Sequence, residues 1–283
     1  MRPERRLAVV PGCATMWVLL SAVGYGTSGP SPEAPAMAGA ELEPRTERAY
    51  EAYSAQTLQE FRERVSEPGY LWATTDPDRR RALARGEIVV AAGDQDGILE
   101  VPGGLIHHWI GAVFVPGVRI GEVAEREQQY EEYPRIHEPI LEAEFLGRSG
   151  HTDRVRLRIE QRTRFVHAVI DTWWQRVHVY PAPDRTHVLA TAERIQQVEN
   201  AGTPDERRLP PGEGGGYLWR ANTYLKILEA DGGTYLEFQT LGLSRGFPWL
   251  LGWLAEPIVR RIGRGSVERT LDERRANLTA PGD

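Results

Sequence analysis

From residue 139 to residue 243 the chain falls into short β-forming segments at steady spacing, most of them closed by a turn signal. The segments cover about 139–147, 153–165, 167–180, 186–198, 217–229 and 234–243. Gly147 to Gly150, Pro181 to Asp184, the long loop 200–216 and Asp231-Gly232-Gly233 separate them. Short connections join neighbouring strands antiparallel, because a parallel pair needs a long crossover. The spacing therefore predicts an antiparallel meander. In 154–164, Arg154, Arg156, Arg158, Glu160, Arg162 and Arg164 alternate with Val155, Leu157, Ile159, Gln161 and Thr163. A period of two puts charge on one face and mostly apolar groups on the other, which predicts a half-buried sheet with a wet arginine face.

The cover for the apolar face comes at the C-terminus. Residues 248–278 read as a long helix entered at Pro248, with Leu250, Leu251, Leu254, Ile258, Ile262, Val267 and Leu271 at near-helical spacing. Its first half (PWLLGWLAEPIV) is almost wholly apolar and its second half charged, and Pro257 predicts a kink or break. A twisted sheet wrapped round one helix leaves space between them unless side chains fill it. Upstream, 44–65 reads as an amphipathic helix carrying Tyr50, Tyr53, Leu58, Phe61 and Val65. It is expected to close the cavity, pack outside the sheet, or meet a partner. Asp76-Pro77-Asp78 caps a short helix over 78–85. Ile88 to Val90 and 104–115 (GLIHHWIGAVFV) read as strands, and two short helical pieces follow near 118–127 and 128–135.

The N-terminus carries Arg2, Arg5 and Arg6, then a mostly apolar run from Leu7 to about Val23 that Pro11 and Gly12 interrupt. Small-residue cleavage candidates follow at Ala36-Met37-Ala38 and Ala38-Gly39-Ala40. This is the order of a secretory signal. Residues 1–40 are thus expected to be a signal peptide, or an N-terminal anchor with its linker, and the protein to be exported to the periplasm or beyond. Cys13 is the only cysteine, so no intramolecular disulfide and no cysteine metal site can form. A formal net charge of −6 argues against general nucleic-acid binding.

A strand, two short helices, a six-stranded meander and a long C-terminal helix, in that order over about 86–278, resemble the helix-grip architecture of the START-like superfamily. That group includes birch-pollen-allergen-type proteins, polyketide cyclases and coenzyme-Q-binding START domains. GLIHHWIGAVFVPG, VENAGTPDERRLPPG and GGGYLWRANTYLKILEADGGTYLEFQTLGLSRGFPWLLGWLAEPIVRRI look like a bacterial branch of it. The resemblance implies an α+β fold, a curved antiparallel sheet around a long C-terminal helix. It also implies a cavity for lipids, isoprenoids, polyketides or other apolar molecules. The domain reading is then 1–40 as signal or anchor, 41–85 as a helical extension, and 86–278 as the ligand-binding domain.

His107 and His108 are adjacent on a strand and point to opposite faces, so they cannot jointly chelate. No HExxH spacing occurs, and neither a metal nor a cofactor is expected. Around residue 220, Arg220, Asn222, Tyr224 and Lys226 share one face while Trp219, Ala221, Thr223, Leu225 and Ile227 share the other. The apolar set is the better core. The polar set, if it faced the cavity, would anchor a head group; otherwise Arg220 pairs with an acid on the solvent side. Cavity candidates are Trp173, Trp219, Leu225, Phe238, Trp249, Trp253, Arg220, Tyr224 and Glu237. The glycine-rich loop Gly212 to Gly216 reads as a lip at the cavity mouth. The loop lacks the lysine and the following helix that phosphate binding would need. The leading expectation is therefore non-catalytic carriage of a hydrophobic small molecule or lipid. An aromatase/cyclase-type enzyme using Glu237, Tyr224 or His107, and a structural envelope protein, are the alternatives.

Overall fold

In the computed structural model, which describes residues 39–66, 69–162, 167–246 and 252–280, the meander forms one curved antiparallel sheet. The strands are β1 (Val89–Ala92), β2 (Ile98–Val101), β3 (Gly104–Pro116), β4 (Ile140–Ser149), β5 (Thr152–Arg162) and β6 (His167–Ala182). β7 (Arg185–Glu199), β8 (Arg207–Arg208), β9 (Arg220–Ala230) and β10 (Gly233–Arg245) complete it. The helices are α1 (Pro44–Ser66), α2 (Pro77–Ala84), α3 (Ile120–Arg126), α4 (Tyr133–Ile136) and α5 (Gly252–Thr279). The order across the sheet is β1-β3-β10-β9-β7-β6-β5-β4, with β2 also on β3 and β8 on β7. β2 and β8 were not expected, being too short to show an alternation. Residues 1–38 and Trp249 lie outside the described residues, as do the side chains of 252–259, Trp253 among them.

The inner face of the sheet grips α5, as the helix-grip resemblance implies. Val267 and Leu271 close on Gly111 of β3, where an added Cβ would come within 2.7 Å of Val267. One turn earlier Gly263 rests on the Trp109 indole, and a Cβ there would lie 2.2 Å from its Nε1. Gly263→Ala is accordingly expected to lower the unfolding midpoint in urea. Overpacking costs about 1–3 kcal/mol and outweighs the helix-propensity gain of about 1 kcal/mol. α5 runs on through Pro257 without the expected break.

α1 packs outside the sheet. Tyr50 and Phe61 join Ile106, Trp219, Tyr224, Leu241 and Leu243 in one buried cluster. Tyr70, Leu71 and Leu83 join Ala112 and Tyr235 in a second. The outer face of β3, β10 and β9 is therefore dry, and that part of the molecule has three layers. The arginine face keeps to the other half of the sheet. There Arg154 is exposed, but Arg156 and Arg158 are half-buried around Asp171, which is 0% exposed. Arg158 Nε donates to Asp171 at 2.8 Å and Arg158 Nη2 to Glu206 at 2.8 Å. The expected wet face is in part a buried ion network.

Candidate functional site

The inner face is uneven along β10. Thr234 and Leu236 are buried there, while Phe238, Thr240 and Gly242, on the same side, are only half-buried. On the outer side every residue from Tyr235 to Leu243 is buried. Register places Thr240 beside Thr223, Gly242 beside Ala221, and Thr223 beside Ala190. This floor of small side chains continues to Ala192, which shares a cluster with Ala190, Ala221, Ile170, Ile195 and Trp174. Gly263 at Trp109 and Val267 at Gly111 fix the direction of α5. That direction points the N-terminal end of α5 toward this floor.

At the other end of the inner face the lining is ionic. Glu127, just after α3, receives Arg274 Nε of α5 at 2.7 Å and Arg176 Nη2 of β6 at 3.3 Å. All three side chains are buried. Burial alone would raise the Glu127 pKa, but the Arg274 and Arg176 charges overcome it and hold the carboxyl at about 2. The cluster thus contributes stability above the ordinary carboxylate range that is lost as pH falls toward 2. Arg176 also lies 5.2 Å from the Tyr130 ring, and Arg274 4.9 Å from that of Phe238. Among the described residues, Arg176 Nε and Arg274 Nη1 have no hydrogen-bond partner. Beside them Tyr130 donates to Asp153 at 2.6 Å, and His178 Nε2 lies 3.1 Å from the same carboxylate. Voids of about 10 Å³ mark both ends of the face. One is lined by Glu127, Tyr133, His137 and Arg274, the other by Gly212, Gly216, Tyr217 and Leu218. Each has room for about one water. Glu127→Gln keeps the shape and removes the charge, and is expected to cost about 1.5–3 kcal/mol in chemical denaturation.

Element order, strand order and the helix laid on the inner face settle the architecture. The fold is START-like. No protein-family profile matches the sequence, and no curated protein matches it. Among solved structures the chain is similar to a STAR-related lipid transfer protein from Xanthomonas axonopodis, at 16% identity and a TM-score of 0.44. The match covers 68% of this chain and 99% of that one. It is also similar to the Zhui aromatase/cyclase from Streptomyces sp. R1128, at 12% identity and a TM-score of 0.43, over 61% of this chain and 93% of that one. Human STARD10 matches at 10% identity and a TM-score of 0.41, over 71% of this chain and 80% of that one.

This START-like frame divides the expected site residues between two faces. Leu225 and Phe238 lie on the α5 side, Leu225 within the main core. Trp173 lies on the outer face under the Arg194 guanidinium, 3.6 Å from its ring centroid. Trp219 and Tyr224 belong to the cluster under α1. Arg220 pairs with Glu47 of α1, so its acid sits on a covering helix rather than in open solvent. Glu237 accepts from the Ala73 N–H at 3.1 Å and lies 3.4 Å from Lys226 Nζ, both acid and amine almost fully buried. Lys226 in turn donates to the Tyr70 carbonyl at 2.8 Å. Of the acid/base candidates only His107 lies on the inner side, its Nε2 2.8 Å from Ser244 Oγ. Glu237 and Tyr224 are across the sheet from it. Among the described residues no group of three or more His, Cys, Asp or Glu side chains could hold a metal.

Sequence reasoning passed over the Glu127–Arg176–Arg274 cluster, although it left a trace. Arg274 falls on the helical stripe of Val267, Leu271 and Leu278, and Glu127 on that of Ile120 and Val123. A charge inside an apolar stripe must be buried or break the stripe.

Proposed function

We propose that the chain binds an apolar small molecule or lipid, without catalysis, between the small-residue floor and the first half of α5. The half-burial of Phe238, Thr240 and Gly242 on a face that is otherwise buried carries this reading. Small residues occupy this part of the face, where Val113 and Leu236 are fully buried further along. Ligand surface buried there contributes roughly 25 cal/mol per Å². The unpartnered donors of Arg176 and Arg274 would orient a polar end. Native mass spectrometry of protein purified from its own host, followed by organic extraction, tests the reading. A stoichiometric apolar molecule that leaves on denaturation and is absent from Thr223→Trp supports it. An empty protein, unaltered by a panel of fatty acids, phospholipids and isoprenoids, overturns it. The same proposal places the protein outside the cytoplasm with 1–40 as the export signal and 86–278 as the binding domain. N-terminal sequencing of the mature chain checks the signal.

A further inference from the structure

Two guanidiniums share one carboxylate at the α3 end of the inner face. Arg176 and Arg274 are 9% and 8% exposed, and both donate to the equally buried Glu127. The neighbouring acids have partners of their own. Asp153 accepts from Arg148 Nε at 2.5 Å and from Arg148 Nη2 at 2.8 Å. Glu273 faces His137 Nδ1 at 2.8 Å and the Glu138 N–H at 3.4 Å. The buried set of Glu127, Arg176 and Arg274 therefore holds one positive charge that nothing within it matches, and an unmatched buried charge is costly. Two of its donors, Arg176 Nε and Arg274 Nη1, are buried with no hydrogen-bond partner among the described residues. The void of about 10 Å³ against Glu127 and Arg274 has room for one oxygen-sized group. Arg126 lines the same void, its guanidinium bonded to the Asn277 carbonyl.

Strand register sets these donors beside the small-residue floor. Arg176 of β6 faces Ala190 of β7, Ala190 faces Thr223 of β9, and Thr223 faces Thr240 of β10. The row lies on the side of α5, since it runs on to Trp109 of β3, where Gly263 rests. From Arg176 to Thr240 it crosses three strand spacings, about 14 Å. Arg274 comes down beside the adjacent row, 4.9 Å from the Phe238 ring. A run of small side chains thus ends at two guanidiniums with N–H groups to spare.

We infer that this site takes an amphiphile with a single terminal carboxylate, held by Arg176 and Arg274, its chain laid along Ala190, Thr223 and Thr240. The inference rests on the binding function proposed above and names its ligand class. One carboxylate supplies the one missing negative charge, and its planar pair of oxygens matches guanidinium N–H groups in shape as well as charge. A phosphate end offers similar chemistry on a bulkier, tetrahedral group.

Isothermal titration of the full chain with dodecanoate, dodecanol and dodecyl phosphate tests it, at about pH 7.5 where the acid is ionised. Dodecanoate is expected to bind about tenfold tighter than dodecanol, or better, from hydrogen bonds to a charged group. Arg176→Gln should abolish that preference and leave the dodecanol affinity in place. Glu127→Gln releases both guanidiniums and should tighten dodecanoate alone, whereas damaged packing would weaken both ligands alike. Equal affinity for acid and alcohol, or a preference that survives Arg176→Gln, overturns the inference and leaves the binding function standing. A folded chain that takes up none of the three overturns both. Dodecyl phosphate bound more tightly than dodecanoate overturns the carboxylate assignment and gives the site to a phosphate end.

Discussion

Glu237→Ala is expected to destabilise the fold by about 3–5 kcal/mol, measured by urea unfolding, because it strands the Lys226 ammonium in a dry layer. Lys226, the only lysine of the chain, is 1% exposed, with Phe61 4.8 Å away and Tyr70 5.6 Å away. Burial pushes the lysine pKa down and the Glu237 pKa up, each opposed by the charge of the other. Neither group has water to turn to once its partner is gone. The double variant Lys226→Met/Glu237→Leu should recover most of the loss, since two apolar groups of similar volume need no pairing. A residue of about 1–3 kcal/mol should remain, because the Tyr70 carbonyl and the Ala73 N–H lose their side-chain partners. Single variants that cost under 1 kcal/mol would mean that water reaches the pair and that the outer layer is loosely held.

Acid is expected to be the second large lever. Burial holds His107 at about 3, His108 at about 4 and His187 at about 4, the last lowered further by the Lys226 charge. All three are therefore neutral in the folded chain well below the ordinary histidine pKa of about 6.5. Between about pH 6.5 and 4 the unfolded chain takes up protons that the folded chain refuses, so stability falls as pH falls. The loss approaches about 1.4 kcal/mol per pH unit for each histidine, or about 2 kcal/mol each at pH 5. Together that is comparable to the total stability of a domain, about 5–15 kcal/mol. Urea midpoints at pH 7.5 and pH 5 measure it. His108→Gln should flatten the dependence by about a third, keeping polar contacts to Tyr53 and Gln239, which lie 2.7 Å from the ring nitrogens. An unchanged midpoint at pH 5 would mean that the histidines reach solvent.

The antiparallel sheet and the C-terminal helix were legible because both rest on periodicity, and periodicity is local. The alternation in 154–162 and the stripe through Ile262, Val267 and Leu271 needed no partner to be read. Contacts between distant segments were not legible. The stripe of α1 says that the helix packs but not against which surface, and α1 turned out to dry the face that bears Arg220, Tyr224 and Glu237. Reading that strand for its apolar side gave the right inner face for Leu225 and Ile227, in the core under α5, but not for Trp219 just before the strand, which joins the cluster under α1. The polar text of the same strand faces the outer layer rather than a ligand. Glu127, Arg176 and Arg274 come from three separate elements, and no spacing rule joins them.

The pairing of β3 with β10 joins residues 104–116 to 233–245, while β4, β5, β6 and β7 pair with one another in chain order. Loop closure over such a span costs entropy before any contact repays it, so local ladders form first. On the ribosome the β4–β7 meander can assemble as it emerges, while β3 waits for the last strand to be synthesised. During that interval the Leu105, Ile106, Trp109 and Ile110 stretch of β3 has neither α5 nor β10 beside it. A chain halted before residue 233 leaves the β10 side of an apolar strand permanently open, the kind of edge that nucleates aggregation.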